Sequence, residues 1–325
     1  MSMKSNEINA LLSRSSILIT GAMGFVGRNL LGYFMENGIK VNIVCKPNSY
    51  YWRWEANDNV RIFYSDFSDL DETLKLFNTI KPEFIFHLAS GGGHPASLHH
   101  FQVLNNENCK MTSNLLEASL RFGIKRFIFC GSSLEGEINT GKIYETYNFK
   151  PHTWRGIVKA QESMICNFYA ETLNLFVINL RIFHAYGPWE QPTRFVPTII
   201  MKFLNKQPVT LVDPDYRKDY IFVGDIIQAF LHLSYLKDIQ SGTILNMGSG
   251  LSHSTYEIFT FLKELFGYEI PIDSFDYAVK DADKYCYTAD LQNLNNLFAG
   301  SRQTSIIEGL ERTVSWIKNH QRFYV

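Results

Sequence analysis

Cysteine is scarce in this sequence, and charge of neither sign dominates. Five cysteines are spread over 325 residues without C-x-x-C spacing, so we expect free thiols in a reducing cytoplasm and no bound metal. Basic and acidic side chains number 31 and 32. This balance predicts no attraction to nucleic acid or to an anionic membrane.

Long apolar runs are also missing. No stretch approaches the roughly 20 apolar residues that a membrane helix needs, and the polar first residues lack the apolar core of a secretory signal. We therefore expect neither a membrane span nor export. Hydrophobic residues nevertheless make up 46% of the chain, enough for a large core and for two structural units.

Short apolar runs alternate with helical patterns through the first half of the chain. Several runs are apolar at nearly every position, as in strands buried on both faces. The predicted strands are 17–20, 41–45, 61–64, 84–89, 126–131 and 175–183. The alternation predicts an α/β fold with a doubly wound parallel sheet.

The alternation weakens after about residue 184, where prolines break up the chain. We predict one domain over 14–183 and a smaller, irregular α/β region over 184–325, with some segments returning to the first domain. The clearest helical patterns in the second region lie at 225–236 and 254–267.

A glycine-rich loop, TGAMGFVG at 20–27, follows the first predicted strand. Gly21 permits a tight turn, Gly24 lets backbone approach a pyrophosphate, and Gly27 lets the next helix pack close to the sheet. The helix N-terminus then offers unpaired N–H groups and a positive dipole end to phosphates. The loop therefore predicts a dinucleotide site.

Later segments follow the order of one known family. HLAS at 87–90, NCKMTSNLLEA at 108–118, FCGSS at 129–133, AYGP at 185–188 and NMGSG at 246–250 resemble signatures of the extended short-chain dehydrogenase/reductase family, of the NAD-dependent epimerase/dehydratase type. The resemblance covers essentially the whole chain. It implies a Rossmann-type fold, a nicotinamide cofactor, usually a nucleotide-sugar substrate, and a role such as polysaccharide biosynthesis.

The resemblance also implies which residues contact the cofactor. They are Gly21, Met23, Gly24, Phe25, Val26, Lys46, Asp66, Phe67, Leu88, Ala89, Ser90, Lys159 and Phe183.

At the end of the second strand, Cys45 and Lys46 stand where an NAD enzyme usually offers an acid to the ribose. A cation suits the 2′-phosphate of NADP, so we predict NADP, with NAD possible. Asp66 resembles the family's adenine-contacting acid, the alternative being a helix cap.

The family's catalytic residues are a Ser or Thr after the fifth strand and a Tyr-x-x-x-Lys on a helix. The resemblance implies Ser133 for the hydroxyl and Lys159 for the lysine that binds the nicotinamide ribose. The spacing places the tyrosine at position 155, and that residue is arginine. Guanidinium has no accessible neutral form near pH 7, so Arg155 cannot be a general acid or base. It can hold an alkoxide or a substrate anion.

The sequence offers several candidates for the group that would carry the proton in place of the tyrosine. Tyr144 and Tyr147 lie in a predicted loop before the helix and could fold over the nicotinamide; Glu135, His184 and water are other candidates. Ser133 and Glu135 also keep a Ser-x-Glu arrangement that resembles the one in some dehydratases and decarboxylases. There the glutamate is a base at a sugar carbon. The alternative for Glu135 is an exposed loop residue.

Segments 194–197 and 215–225 resemble the elements that hold the nucleotide. The expected substrate contacts are His184, Arg194, Val196, Arg217 and Lys218. The family normally has arginine where Lys218 stands, and a cation at 217 or 218 can meet a diphosphate. A surface charge pair is the alternative.

Three hypotheses follow from these residues. The first is an NADP(H)-dependent oxidoreductase that reduces a keto-sugar, of the 4-keto-6-deoxy type, linked to a nucleoside diphosphate. The second is a redox-neutral nucleotide-sugar epimerase or dehydratase with tightly bound cofactor. The third is a catalytically silent cofactor-binding subunit or sensor. Resemblance and apolar pattern also predict a homodimer through helices near 108–123 and 153–174.

Overall fold

The computed structural model describes residues 2–47, 52–91, 93, 95–137, 141–214, 216–276, 286–298 and 303–324. The strands are β1 (Ile17–Thr20), β2 (Val41–Cys45), β3 (Val60–Tyr64), β4 (Phe84–His87), β5 (Arg126–Ser132), β6 (Gly141–Ile143), β7 (Val177–Ile182), β8 (His184–Tyr186), β9 (Val209–Val212), β10 (Arg217–Phe222), β11 (Ile244–Met247), β12 (Ser252–Ser254), β13 (Ile272–Asp276) and β14 (Tyr287–Ala289). The helices are α1 (Ser2–Leu12), α2 (Phe25–Glu36), α3 (Leu70–Ile80), α4 (Leu98–Phe122), α5 (Trp154–Glu171), α6 (Phe195–Leu204), α7 (Val223–Tyr235), α8 (Thr255–Phe266), α9 (Gln292–Leu297) and α10 (Ile306–Asn319).

The chain divides into two compact units. The first contains 1–137, 147–182 and 227–245. The second contains 138–146, 183–226 and 246–325. The sequence predicts domains over 14–183 and 184–325. Relative to these limits, segment 227–245 belongs to the first unit and segment 138–146 to the second.

A parallel sheet organises the first unit. Its described strands lie in the order β11-β7-β5-β4-β1-β2-β3, and the pairs from β3 to β7 are all parallel. The order steps outward from β1 in both directions, which is the doubly wound arrangement. Strands β1, β4 and β7 are buried at every position, which explains their unbroken apolar runs. The predicted Rossmann-type fold class is confirmed.

Helices α4 and α5 begin at side-chain caps, and α4 also ends at a glycine. Ser97 accepts the N–H of His100 at the start of α4, and Gly123, with φ of 63°, ends it. Thr153 accepts the N–H of Gly156 at the start of α5. The core of the first unit joins these helices and α3 to β1, β4 and β5 through side chains such as Leu18, Phe77, Ile85, Leu115 and Phe127.

The second unit contains smaller sheets. Strands β12, β10 and β8 form one, β13 pairs with β9, and β14 pairs with β6. Strand β6 occupies part of the segment before α5 that the sequence predicts to be loop, so that prediction is corrected. The helices expected at 225–236 and 254–267 are present as α7 and α8. None of the described helices is long and apolar enough to cross a membrane.

Candidate active site

A cleft of about 380 Å³ lies at the carboxyl ends of β1 to β4 in the first unit. Parallel strands bring these ends to one edge of the sheet, where ligands bind in folds of this type. The cleft is lined by Thr20, Gly21, Ala22, Met23, Gly24, Val44, Cys45, Lys46, Ser65, Asp66, Phe67, Leu88, Ala89, Ser90, Gly91, Glu107, Asn108 and Met111. Most of the predicted cofactor contacts lie together here. Phe25 and Val26 open α2, Lys159 lies on α5, and Phe183 belongs to the second unit.

The glycine loop fits a dinucleotide phosphate. Gly21 has φ of 70°, and a Cβ there would overlap the backbone of Leu88 and Ala89, so only glycine lets the loop and the end of β4 approach so closely. Gly24 precedes α2 without a side-chain cap. The first N–H groups of α2 therefore keep their donor capacity for a phosphate.

Lys46 lies in the cleft between two carboxylates. Its Nζ is 3.5 Å from Glu107 Oε1 and 3.9 Å from Asp66 Oδ2. The pKa of Asp66 is lowered, chiefly because the carboxylate accepts the N–H of Ser68. Asp66 does not cap α3, since Asp69 accepts the N–H of Glu72 at the start of that helix. The helix-cap alternative for Asp66 is therefore wrong.

Asn108 supports the same cleft and was given no role from the sequence. It is 1% exposed, and its Oδ1 accepts the N–H of Gly91 at 2.7 Å. Its Nδ2 donates to Ser90 Oγ at 3.4 Å. Asn108 thus ties α4 to the segment after β4. Its place at the start of the signature 108–118 is the signal that could have identified it.

Ser133 and Lys159 both lie near the end of β5. Ser133 is buried at the start of a 3₁₀ turn over Ser133–Glu135, and Lys159 Nζ donates to the carbonyl of Cys130 at 3.2 Å. Helix α5 reaches this turn because Gly156 has no Cβ, which would overlap the carbonyl oxygen of Leu134. The serine and lysine of the predicted catalytic set are therefore held by neighbouring elements.

Lys159 is buried beside a carboxylate that the sequence analysis missed. Its side chain is 6% exposed, and its Nζ lies 3.1 Å from Oε2 of Glu162, which is fully buried. The ammonium also faces the ring of Phe129, 4.6 Å from the ring centre. Glu162 is three residues further along α5, so an i,i+3 spacing is the only signal of the pair in the sequence.

Arg155 lies one helical turn before Lys159 on α5. Its Nη1 donates to the backbone carbonyl of Gly93, in the segment after β4, at 3.1 Å. Arg155 as a whole is half-buried, and its guanidinium stays charged at any working pH. This end of α5 therefore carries two cations, with Glu162 as the neighbouring anion.

Glu135 is not an exposed loop residue. It is fully buried, and its Oε2 accepts from Nε of Arg181 at 3.0 Å and from Nδ2 of Asn179 at 3.3 Å. Its Oε1 accepts the N–H of Ser132 at 2.6 Å. Burial raises the pKa of Glu135, and Arg181 opposes that rise. A base at a sugar carbon needs a carboxylate oxygen that a substrate can reach, so the geometry contradicts that role.

The two candidate tyrosines fall on either side of the division between the units. Tyr144 follows β6 in the second unit and is 42% exposed, whereas Tyr147 belongs to the first unit. In the second unit, His184 begins β8, and its ring centre lies 4.9 Å from that of Tyr220. Arg194 immediately precedes α6, and Val196 is buried within it.

Arg217 and Lys218 point to different surroundings in the second unit. Both terminal nitrogens of Arg217 contact the carboxylate of Glu257, at 2.7 and 2.9 Å. The Arg217 guanidinium is therefore already engaged by a carboxylate within the second unit. Lys218 is 6% exposed, and its Nζ lies 4.7 Å from the ring centre of Tyr216 and 5.4 Å from that of Tyr287. A diphosphate contact at Arg217 would have to compete with Glu257.

Comparison with known proteins identifies the family. The profile of the NAD dependent epimerase/dehydratase family matches residues 17–248. A UDP-glucuronate 4-epimerase from Thermodesulfobacterium geofontis is 25% identical over 93% of this chain and 96% of its own. A CDP-abequose synthase from Salmonella typhimurium is 28% identical over 76% of this chain and 79% of its own.

A solved structure extends the likeness to the fold. The UDP-glucose 4-epimerase of Thermotoga maritima, determined with UDP-glucose, is 26% identical, with a TM-score of 0.83 over 94% of this chain and 99% of its own. The resemblance stated from the sequence and the predicted enzyme class are both confirmed. Because the family profile spans more than half of its residues, the chain belongs to the NAD dependent epimerase/dehydratase family.

Proposed function

We propose that the protein reduces a keto-sugar, of the 4-keto-6-deoxy type, carried on a nucleoside diphosphate, with NADPH as the preferred reductant. When bound, a nicotinamide cofactor would supply the hydride. The observation that carries the proposal is the charge of the site. Arg155 and Lys159 are cations on one turn of α5, and the carboxylate proposed as a base, Glu135, is buried and paired.

The proposed choice of reduction over a redox-neutral reaction follows from which of these residues can accept a proton. A redox-neutral reaction begins by removing a proton from a sugar hydroxyl, which requires a general base. Arg155 stands where the family has its tyrosine and cannot accept a proton. Reduction begins instead at a carbonyl, whose oxygen becomes negative as hydride arrives. Two fixed cations stabilise that developing charge.

Each residue then has a defined task. Lys159 holds the nicotinamide ribose, Ser133 donates a hydrogen bond to the sugar oxygen, and Arg155 orients that oxygen or a substrate anion with its aligned N–H groups. The last proton comes from Tyr144, Tyr147 or an ordered water. The nucleotide contacts proposed in the second unit are His184, Arg194, Val196, Arg217 and Lys218.

Lys46 is the residue proposed to select the phosphorylated cofactor. It lies in the cleft at the end of β2, where the sequence offers no acid. Asp66 and Glu107 already face it, and exposed ion pairs contribute only about 0–1 kcal/mol. The preference for NADP(H) over NAD(H) should therefore be modest, roughly fivefold.

A redox-neutral epimerase is the second candidate, and the family comparison favours it because two of the similar proteins described above are named 4-epimerases. Such an enzyme would need a base that can return the proton. If Tyr144 or Tyr147 serves as that base, sugar will be converted without net consumption of cofactor.

The experiment is incubation of purified protein with keto-sugar nucleotides and NADPH, followed by absorbance and by product analysis. One equivalent of cofactor oxidised per product supports the reductase. Product without net oxidation establishes the epimerase. Cofactor binding without product from any sugar indicates a silent subunit, and a gain of activity in Arg155→Tyr would then show that the site has lost its proton donor.

We also propose a homodimer built on α4 and α5, which works in the reducing cytoplasm that the free cysteines predict. The two helices pack side by side, with Tyr169 donating to Glu117 at 3.1 Å. Their outer surface exposes Val103, Met164 and Phe168 at 44 to 55%. An apolar patch that these side chains form together would serve as the interaction surface. Sedimentation of wild type and of Met164→Glu/Phe168→Glu checks this, with the double variant expected to be monomeric.

A further inference from the structure

A continuous chain of buried polar side chains runs through the first unit from the glycine loop to Lys159. Thr20 Oγ1 lies 2.7 Å from His87 Nδ1, and His87 Nε2 lies 3.0 Å from Thr112 Oγ1. Thr112 Oγ1 donates to Glu162 Oε1 at 2.9 Å, and Glu162 Oε2 lies 3.1 Å from Lys159 Nζ. All five residues are at most 5% exposed. The four contacts join β1, β4, α4 and α5 through side chains alone.

The direction of every hydrogen bond in this chain is fixed by the charge of Glu162. A carboxylate only accepts, so the Thr112 hydroxyl must donate to it. The Thr112 oxygen then accepts from His87, which places the imidazole proton on Nε2. His87 Nδ1 is left as an acceptor for the Thr20 hydroxyl, whose oxygen in turn accepts the N–H of Ala89 at 3.2 Å.

Among the described residues around Lys159, one anion can balance its charge. The titratable groups around it are His87 on β4, Cys130 on β5, Cys109 on α4, and Cys166 and Glu162 on α5, with Arg155 and Glu135 contributing more remotely. Burial lowers the pKa of His87 to about 3 and raises the pKa of Cys109 and of Cys130 to about 11. These groups are neutral at working pH, and Glu135 is paired with Arg181. Glu162 therefore supplies the negative charge.

We infer, resting on the proposed function for the role of Lys159 toward the cofactor, that Glu162 is a positioning residue for Lys159. It keeps the ammonium charged in a buried place and fixes it against the carbonyl of Cys130. Thr112 and His87 in turn fix Glu162 to Thr20, the residue before the first glycine of the loop. The chain thereby ties the lysine that serves the nicotinamide end to the loop that serves the pyrophosphate.

The first test is the pH dependence of cofactor affinity in Glu162→Gln. Without the carboxylate, the buried ammonium has no neighbouring charge to balance its own, and a buried unpaired charge is unfavourable. The affinity for NADPH, and equally for NADH, should therefore be lower in Glu162→Gln, and the difference from wild type should grow as pH rises. Glu171→Gln, at an exposed position of the same helix, is the matched control. Equal pH profiles in wild type and Glu162→Gln would overturn the inference.

The second test needs no variant of Glu162. Nitrogen NMR of labelled wild-type protein reports the tautomer of His87, which should be neutral with its proton on Nε2. A proton on Nδ1, or an imidazolium at neutral pH, would overturn the inference. Thr112→Val removes the hydroxyl and should weaken cofactor binding, and Thr112→Ser should restore it; equal binding by the two variants would count against the chain.

Neither readout depends on sugar turnover. If keto-sugar reduction fails while the pH profile and the tautomer agree, the proposed function is wrong and the positioning role of Glu162 stands. If the sugar is reduced while Glu162→Gln binds cofactor as wild type does at every pH, the inference fails and the proposed function stands.

Discussion

The buried pair of Glu135 and Arg181 offers the sharpest test of the claim that Glu135 is structural. Replacing Arg181 by methionine leaves a carboxylate with no exposed surface and without its paired cation, since the side chains are 0% and 2% exposed and 3.0 Å apart. Removing one partner of such a pair costs about 3–5 kcal/mol in unfolding free energy. Arg121→Met breaks an exposed pair with Glu117 and should cost less than about 1 kcal/mol.

The size of this loss should depend on pH. In wild type, burial already raises the pKa of Glu135 above its unfolded value, and Arg181 limits the rise. Such a carboxyl contributes stability below its unfolded pKa, and that contribution is lost as pH rises through the folded pKa. Arg181→Met raises the folded pKa further. The destabilisation relative to wild type should therefore be small in acid, where Glu135 is protonated in both proteins, and grow toward neutral pH.

The assay is denaturant unfolding of wild type, Arg181→Met and the double variant Glu135→Gln/Arg181→Met across that pH range. The double variant carries no buried charge at this place and should recover much of the lost stability at neutral pH. A loss that is independent of pH, or one smaller than that of Arg121→Met, would refute the reasoning. Full stability of Glu135→Gln together with lost turnover would return Glu135 to the catalytic residues.

Three further predictions concern the site. Lys46→Glu should reverse the modest preference for NADP(H), as measured by titration with both cofactors; unchanged NADP(H) affinity would show that Lys46 does not contact the 2′-phosphate. Tyr144→Phe or Tyr147→Phe should lower kcat by about 10²-fold or more for the tyrosine that donates the proton, and full activity in both would leave water as the donor. Gly156→Ala should cost about 1–3 kcal/mol in unfolding free energy, because its Cβ would overlap a backbone carbonyl, whereas Gly136→Ala, whose Cβ would have room, should be tolerated; equal stability of the two would contradict the close packing of α5.

The sheet could be predicted from the sequence because its signal is local. Strands β1, β4 and β7 are buried on both faces, so every residue in each run is constrained and the run is visible in the sequence. The glycine loop was equally visible, since the turn at Gly21 and the close approach to β4 need glycine itself.

The charge pairs could not be predicted because their partners come together only in the fold. Glu135 meets Arg181 from 46 residues away, and Arg217 meets Glu257 from 40 residues away. The sequence therefore suggested either a base or an exposed loop residue at Glu135, and a diphosphate contact at Arg217, where the fold has two ion pairs. The contact of Lys159 with Glu162 was close in sequence, but its burial depends on β5 and α4.

The proposed direction of hydride transfer can be measured most directly with NADPH that carries deuterium at the transferable position. The keto-sugar nucleotide is supplied with this cofactor, and the product is examined by mass spectrometry and NMR. The proposed function predicts one deuterium per product molecule, on the carbon that bore the carbonyl, with one equivalent of cofactor oxidised. Product without deuterium would contradict the proposed function. In that case the hydride would have come from the sugar itself, through a retained cofactor.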